Sequence, residues 1–401
     1  VSPIDRTISC QSEDSPRLLL VVNVSWYFIS HRFSLAQAAQ AAGYDVHVAT
    51  RVESKQDEEK ILECGLTLHH VEIGRGDSSL IYDFKSMLAL YRLYKSLCPD
   101  IIHHVAMKPV VFGGIIARMI GHRSVVQAIP GLGYLFSNSS TASGLLKRWI
   151  VGAMLRVACG GKNTMIIVQN TENLDFVINE NITVREQSFL IRGAGVDTKE
   201  IEITSEPKAP IRVVLAARLL REKGIEEFVL AAAELKKRGI NAEFLIAGEP
   251  DPSNPGSLTS DQLKYWHASG GIQYLGFVED VVTLFSTCHI VCLPSYYGEG
   301  VPKVLIEAAA CGRAIVTTDQ PGCHDIVRDE LNGILVQPRD VASLADALER
   351  IIEDDELRQR FGVAGRLLAQ EQFDLEIVLG ETLSVYERCI RQRATMDATA
   401  K

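Results

Sequence analysis

The sequence predicts an α/β protein made of two doubly wound parallel sheets. Three observations predict it. Short β-branched apolar runs alternate with longer helical stretches, the pattern of βαβ units. The alternation occurs twice, on either side of a polar segment, 197–210, that carries Pro207 and Pro210. The length of 401 residues suits two domains better than one.

Residues 1–16 are polar and unpatterned, and are expected to be disordered. Arg17 to Asn23, R-L-L-L-V-V-N, is apolar without alternation, as a strand covered on both faces should be. Residues 24–32, V-S-W-Y-F-I-S-H-R, are expected to form the turn after it, and a helix follows from Phe33 to Ala42, stopped by Gly43. A strand at 45–50, a helix at 57–64 and a strand near 66–71 come next. A helix at 84–97, a strand at 100–104, a helix at 110–120 and a strand at 124–128 continue the series. The apolar stretch 145–159 is a helix carrying Lys147, Arg148, Trp149 and Arg156. It reads as a core helix with a thin polar edge, or as one lying in a bilayer interface. A strand at 164–169 and a helix from Asn170 lead to R-G-A-G-V-D at 192–197, closing a first domain of 17–196.

After the linker 197–210 the second domain spans 211–374. Its strands are expected at 211–217 and 243–248, with a helix at 225–238 between them. The run 274–278 leads into a helix at 280–286, then come strands at 289–294 and 314–318. Helices at 341–353, 355–370 and 375–391 close the chain.

Ser295 to Gly312, S-Y-Y-G-E-G-V-P-K-V-L-I-E-A-A-A-C-G, follows one of these strands. Gly298 and Gly300 suit a tight turn lying close to a ligand. Pro302 suits a helix start and Gly312 its end. Free N–H groups at that start offer a place for a phosphate. Two carboxylates, Glu299 and Glu307, flank it. An ionised carboxylate only accepts hydrogen bonds, so it suits the paired hydroxyls of a sugar. A nucleotide sugar combines both chemistries, whereas a solvated loop carboxylate and a solvated helix carboxylate are the plainer reading of the pair.

E-G-V-P-K-V-L-I-E-A-A-A-C-G, with its two glutamates eight apart, resembles the E-x7-E signature of family 4 retaining glycosyltransferases, the glycogen-synthase-like group. The resemblance extends over nearly the whole chain. It implies the GT-B fold: two Rossmann-like domains facing a cleft, with the C-terminal helix, 375–401, crossing back to the first domain. It implies that Arg218 and Lys223, in A-A-R-L-L-R-E-K-G, face the donor diphosphate, and that no metal ion or other cofactor is needed. Glu307 would hold the ribose hydroxyls and Glu299 those of the donor sugar. The N–H groups of Val301 and Lys303 would lie near the phosphates, between Gly298, Gly300 and Gly248. Such enzymes are thought to react on one face of the sugar, the departing phosphate oxygen taking the acceptor proton, unlike the two-carboxylate glycosidases.

W-Y-F-I-S-H-R at 26–32, K-P at 108–109, P-G-L-G-Y at 130–134 and G-E-P-D-P-S-N-P at 248–255 resemble one bacterial subgroup. Its members extend undecaprenyl-diphosphate-linked sugars in surface-polysaccharide or glycan assembly, several of them with N-acetylgalactosamine. This implies a UDP-linked donor and a polyprenyl-diphosphate-linked acceptor. His31 and Arg32, with Lys108, would meet the acceptor diphosphate. Ser25, His103, His104, Gly131 and Gly133 are further polar or small groups at expected strand ends. Many relatives carry a histidine where this chain has Met107 or its neighbours, so His103 and His104 are candidates to replace it. A sugar-nucleotide epimerase and a non-catalytic scaffold share the fold. The first lacks the Arg–Lys and E-x7-E arrangement, and the intact set argues against the second.

The net charge of -9 is unevenly spread. Residues 1–200 hold 20 Lys and Arg against 19 Asp and Glu, so 201–401 hold 21 against 31. Within 84–165 there are ten basic side chains and one acid, Asp100. Such a surface suits an anionic partner, and the inner face of the cytoplasmic membrane fits it. Nucleic acid is the rival, but no nucleic-acid motif accompanies the charge. Nine scattered cysteines without paired spacing suit a cytoplasmic protein with reduced thiols. No basic-then-apolar leader or run of 18 apolar residues is present, so the expectation is neither secretion nor a membrane span.

Overall fold

The computed structural model describes residues 15–74, 80–132, 142–252 and 254–399. The first domain opens with β1 (Arg17–Val24), α1 (Ser25–His31), α2 (Phe33–Ala41) and β2 (Asp45–Arg51). It continues through α3 (Lys55–Glu63), β3 (Thr67–His70), α4 (Leu80–Leu97) and β4 (Ile101–Val105). A wider π-helical turn, Pro109–Gly113, leads into α5 (Gly114–Met119). Then come β5 (Val125–Ile129), α6 (Ala142–Cys159), β6 (Thr164–Val168), α7 (Thr171–Asn179) and β7 (Ser188–Leu190). These strands form one parallel sheet in the order β3-β2-β1-β4-β5-β6-β7.

The second domain runs β8 (Ile211–Ala216), α8 (Ile225–Lys237), β9 (Ala242–Ala247), α9 (Ser260–Ala268), β10 (Gln273–Gly276), α10 (Val281–Ser286) and β11 (Ile290–Leu293). It goes on through α11 (Lys303–Ala310), β12 (Ala314–Thr318), α12 (Cys323–Ile326) and β13 (Gly333–Val336). α13 (Val341–Glu353), α14 (Asp355–Gln372) and α15 (Leu375–Thr399) complete the chain. Its sheet, again parallel, has the order β10-β9-β8-β11-β12-β13. In both sheets the winding reverses between the first strand and the fourth, and a crevice opens beyond their carboxyl ends.

The expected turn at 24–32 is instead the helix α1. Tyr27 and His31, four residues apart, stack face to face at 4.3 Å between ring centroids, and Phe28 is buried, so the aromatic run favours helix over turn. β1 is covered on both faces. Leu18, Leu20 and Val22 pack with α2 and with Val378, Val385, Tyr386 and Cys389 of α15, while Leu19 and Val21 pack with Leu90 and Tyr94 of α4. The C-terminal helix therefore crosses back and completes the core of the first domain.

The two crossings between domains run side by side. Val196 N–H donates to Phe373 O at 3.0 Å, and Leu375 N–H donates to Val196 O at 2.9 Å. Beyond this point the 198–206 segment is tied to the second domain by buried arginines. Arg366 donates to the carbonyls of Thr198, Ile201 and Ala310, and Arg358 reaches Glu206 at 3.3 Å. Gly133 and residues 1–14 of the expected disordered stretch lie outside the described residues.

Candidate active site

The switch point of the second sheet gathers charged side chains from two turns. β8 ends in the turn Ala217–Gly224, which delivers Arg218 and Lys223, and β11 ends in the turn Pro294–Pro302, which delivers Glu299. Lys223 Nζ lies 2.5 Å from Glu299 Oε2. Ser295 Oγ lies 2.9 Å from Glu299 Oε1, so both carboxylate oxygens are held. Each of the paired side chains is largely buried, which strengthens the attraction relative to an exposed pair. Arg218 stays about half exposed, with Nη1 3.2 Å from Asp251 Oδ2.

α11 starts just after this turn. Gly312 at φ +68 ends it, but Pro302 sits at the N-cap rather than inside the first turn. Val301 is buried. Lys303 and Glu307 form an i,i+4 pair at 3.3 Å, and Lys303 Nζ also donates to the carbonyl of Ser30 in the first domain at 3.0 Å. Burial raises the Glu307 carboxyl above its usual range, and the charge of Lys303 opposes that rise. Gly248 follows β9 at φ +136, and a Cβ there would overlap the Ala217 carbonyl, so only glycine lets these turns meet.

Gly300 serves a close approach between domains. A Cβ there would overlap Gln169 Oε1 and the Pro130 carbonyl, both at strand ends of the first sheet. Gly131 meets the same turn, since a Cβ on it would stand 2.9 Å from Gly300 N. Asn170 Nδ2 donates to the Glu299 carbonyl at 2.9 Å. His324 on α12 bridges Asp319 and Glu172 of the first domain, each at 2.8 Å. Burial works against its protonation, but the bond to Asp319 and the charge of Glu172 outweigh it and raise its pKa.

On the first-domain side, His31 and Arg32 line a cavity of about 700 Å³ with Lys303, Glu307 and α15. The Arg32 side chain is buried, and neither Arg32 Nε nor His31 Nδ1 has a partner among the described residues. Burial and the neighbouring charges of Arg32, Lys303 and Arg218 push the His31 pKa down to about 3, so it is neutral beside three cations. Lys108 lies 3.2 Å from Asp83 of α4.

His103 and His104, candidates for the acceptor side and for the relatives' histidine, are closed off from solvent. Both are buried within β4. His103 Nδ1 lies 2.5 Å from Tyr386 Oη, and His104 lies 2.7 Å from Tyr94 Oη and 3.0 Å from Gln127 Oε1. They sit inside the strand rather than beyond its end; His104 is bonded at both ring nitrogens, whereas His103 Nε2 is buried with no hydrogen-bond partner among the described residues. Ser25 also turns away from the cleft, bonding Asp57 at 2.5 Å. Ser295, Asn170 and Trp26 are the residues that sequence reasoning passed over. Asn170 looks like a helix cap, and is one, accepting from Asn173 N–H at 2.8 Å. Only its place directly after a strand signalled a second use.

With this geometry in hand, residues 17–170 match the family model Glycosyl transferase 4-like, and residues 196–368 match Glycosyl transferases group 1. The chain is similar to the N,N'-diacetylbacillosaminyl-diphospho-undecaprenol alpha-1,3-N-acetylgalactosaminyltransferase of Campylobacter jejuni, at 28% identity over 84% of this chain and 90% of that protein. It is also similar to the UDP-Gal:alpha-D-GlcNAc-diphosphoundecaprenol alpha-1,3-galactosyltransferase of Escherichia coli, at 25% identity over 69% and 72%. Its fold is that of the sucrose-phosphate synthase of Thermosynechococcus elongatus, with TM-score 0.75, 19% identity and coverage of 94% and 100%. HepE of Anabaena, solved with UDP, has the same fold, with TM-score 0.68, 18% identity and coverage of 92% and 99%. Two family models that divide at the hinge, on a structure that divides there too, make the chain a member of the GT-B glycosyltransferases.

Proposed function

We propose that the protein is a retaining, metal-independent transferase that moves an N-acetylhexosamine, GalNAc from UDP-GalNAc, onto a polyprenyl-diphosphate-linked saccharide. The observation that carries this reading is the Lys223–Glu299–Ser295 group beside Arg218 at the switch point. Glu299 is fixed through both oxygens and still offers lone pairs to the hydroxyls of a sugar. Arg218 and Lys223 supply two cations where the leaving diphosphate gathers charge, and fixed cations lower such a barrier without a metal ion. Glu307, on the next helix, takes the ribose hydroxyls. The bond from the anomeric carbon to the diphosphate breaks as the bond to the acceptor oxygen forms on the same face. The acceptor proton passes to the departing phosphate oxygen. His31, Arg32 and Lys108 face the acceptor diphosphate.

Support for the acceptor class comes from the two relatives named above, whose own names give undecaprenol-diphosphate-linked substrates. They differ in the sugar moved, so galactose or another UDP-sugar is the second reading. Docking at the inner membrane face is supported by the basic excess of 84–165 and by exposed Phe84, Leu145, Trp149 and Ile150 on α4 and α6. Among the described residues no helix is long and apolar enough to cross a membrane.

The test is a donor screen. Purified protein is offered UDP-, GDP- and ADP-sugars with EDTA, with and without a short-chain polyprenyl-diphosphate-GlcNAc, and nucleoside diphosphate release and the product anomer are recorded. UDP release from UDP-GalNAc with an α-linked product is the expected result. Release only from a GDP- or ADP-sugar, dependence on a divalent ion, or a β-linked product overturns the corresponding part.

A further inference from the structure

Arg218 is approached from both domains. Within its own domain Asp251 Oδ2 lies 3.2 Å from Nη1, and this carboxylate is itself mostly buried. From the first domain comes Trp26, on α1, with its ring centroid 5.7 Å from Arg218 Cζ. That separation is within the range at which an indole face attracts a guanidinium. The indole is held in turn. Tyr27 meets it edge-on at 5.8 Å, and Tyr27 stacks on His31. The row begins immediately after β1, so it is anchored to the centre of the first sheet.

We infer that Trp26 is a positioning residue for Arg218, making the placement of the diphosphate-binding guanidinium depend on the first domain lying against the second. The inference rests on the proposed role of Arg218 in holding the donor diphosphate. An arginine on a half-exposed turn has many rotamers, and a ligand that must collect them binds more weakly than one that meets a guanidinium already in place. Asp251 restrains the group only within its own domain. Trp26 adds a restraint that exists only while α1 is close. Aromatic attraction also leaves the positive charge available, where a second carboxylate would cancel it. Donor binding and domain approach thereby support each other.

A double-substitution cycle tests this, with UDP as the probe and calorimetry as the readout. Trp26→Leu keeps apolar bulk and removes the ring face, and is expected to weaken UDP binding about two- to fivefold. Trp26→Phe is expected to recover part of the loss. In an Arg218→Ala background, Trp26→Leu is expected to add nothing, because its target is gone. An equal loss in both backgrounds would mean that Trp26 meets the ligand directly, and would overturn the inference. So would unchanged binding in Trp26→Leu while Arg218→Ala weakens UDP, which leaves the donor role of Arg218 standing. Unchanged binding in Arg218→Ala overturns both readings together. Melting curves of Trp26→Phe and Trp26→Leu separate these results from misfolding, since the Phe variant alone still reports the coupling.

Discussion

Lys223 Nζ and Glu299 Oε2, 76 residues apart in sequence, meet at 2.5 Å across the switch point of the second sheet. The cation proposed for the diphosphate and the carboxylate proposed for the sugar are thus one ion pair. Glu299→Gln keeps the bond to Ser295 and removes the charge. It is expected to lower kcat by about a hundredfold, the scale of losing a preorganised electrostatic group. UDP, which has no sugar ring, should bind the variant with affinity within about threefold of the parent. A comparable loss of UDP affinity would mean that Glu299 serves the nucleotide instead.

Glu307 is mostly buried, and its carboxyl titrates above its ordinary range. In the proposed donor site its ionised form is the one that would accept the ribose hydroxyls. Donor affinity should therefore be full at neutral pH and fall as pH drops towards that raised pKa, sooner than an ordinary glutamate would allow. Glu307→Ala is expected to weaken UDP about tenfold or more at pH 7.5 and to flatten the acid fall, both by calorimetry. A variant that binds UDP like the parent would remove Glu307 from the donor site.

Gly300→Ala places a methyl group against Gln169 and Pro130 of the other domain and leaves both cores untouched. The domains are expected to be wedged apart, with kcat/KM falling about tenfold or more and the melting temperature moving by only a few degrees. Small-angle scattering should show a larger radius of gyration with UDP bound than the parent has. Unchanged kinetics would mean that the approach of these turns is not needed for turnover.

His104 is locked in its neutral form. Gln127 Nε2 donates to the Ala158 carbonyl, which turns its Oε1 towards His104 Nδ1, so Nδ1 carries the proton and Nε2 accepts from Tyr94. Burial pushes the His104 pKa down to about 3. The unfolded chain takes a proton near pH 6.5 and the folded chain does not. The stability His104 contributes is therefore complete above that pH and is lost as pH falls towards 3. At pH 5 the loss from this group alone is about 2 kcal/mol. Urea midpoints at pH 7.5 and 5.0 should show it, and equal or greater stability at pH 5.0 would contradict the assignment.

Trp149 is two-thirds exposed on α6, next to exposed Ile150. Trp149→Glu is expected to reduce co-sedimentation with phosphatidylglycerol-containing vesicles by about tenfold, the scale of losing one buried large side chain. Activity on a water-soluble, short-chain acceptor should be unchanged. Equal sedimentation of parent and variant would take this face away from the bilayer.

The sheets were legible because buried parallel strands are continuous apolar runs, and R-L-L-L-V-V-N and H-I-V-C-L-P are hard to read otherwise. That Arg218, Lys223 and Glu299 stand after strands of the second series, with Glu307 on the helix that follows, was legible from the apolar runs before them, while the roles proposed for them rest on the E-x7-E resemblance. The histidines of β4 were not legible. His-His at a strand end and His-His one step inside it look alike in sequence. Which holds depends on Tyr94 and Tyr386, the second contributed by a helix 283 residues away. The helical state of 25–31 was hidden for a similar reason, since Ser25, Trp26 and Ser30 read as turn or strand residues until Tyr27 and His31 are seen to stack. Cross-domain partners such as Trp26 with Arg218 depend on how the two halves lie together, which no local pattern encodes.

The return of α15 to the first domain also sets the order in which the protein is completed on the ribosome. β1 leaves the exit tunnel early, yet Leu18, Leu20 and Val22 wait for Val378, Val385 and Tyr386 to cover them. About two hundred residues of synthesis follow β7, which at ordinary elongation rates is roughly 10 to 40 s. During that interval the second sheet can finish folding while one face of the first stands open. Apolar surface exposed for so long is a target for chaperones, and ribosome-bound chains halted with α15 still inside the tunnel should be protease-resistant in the second domain and sensitive in the first.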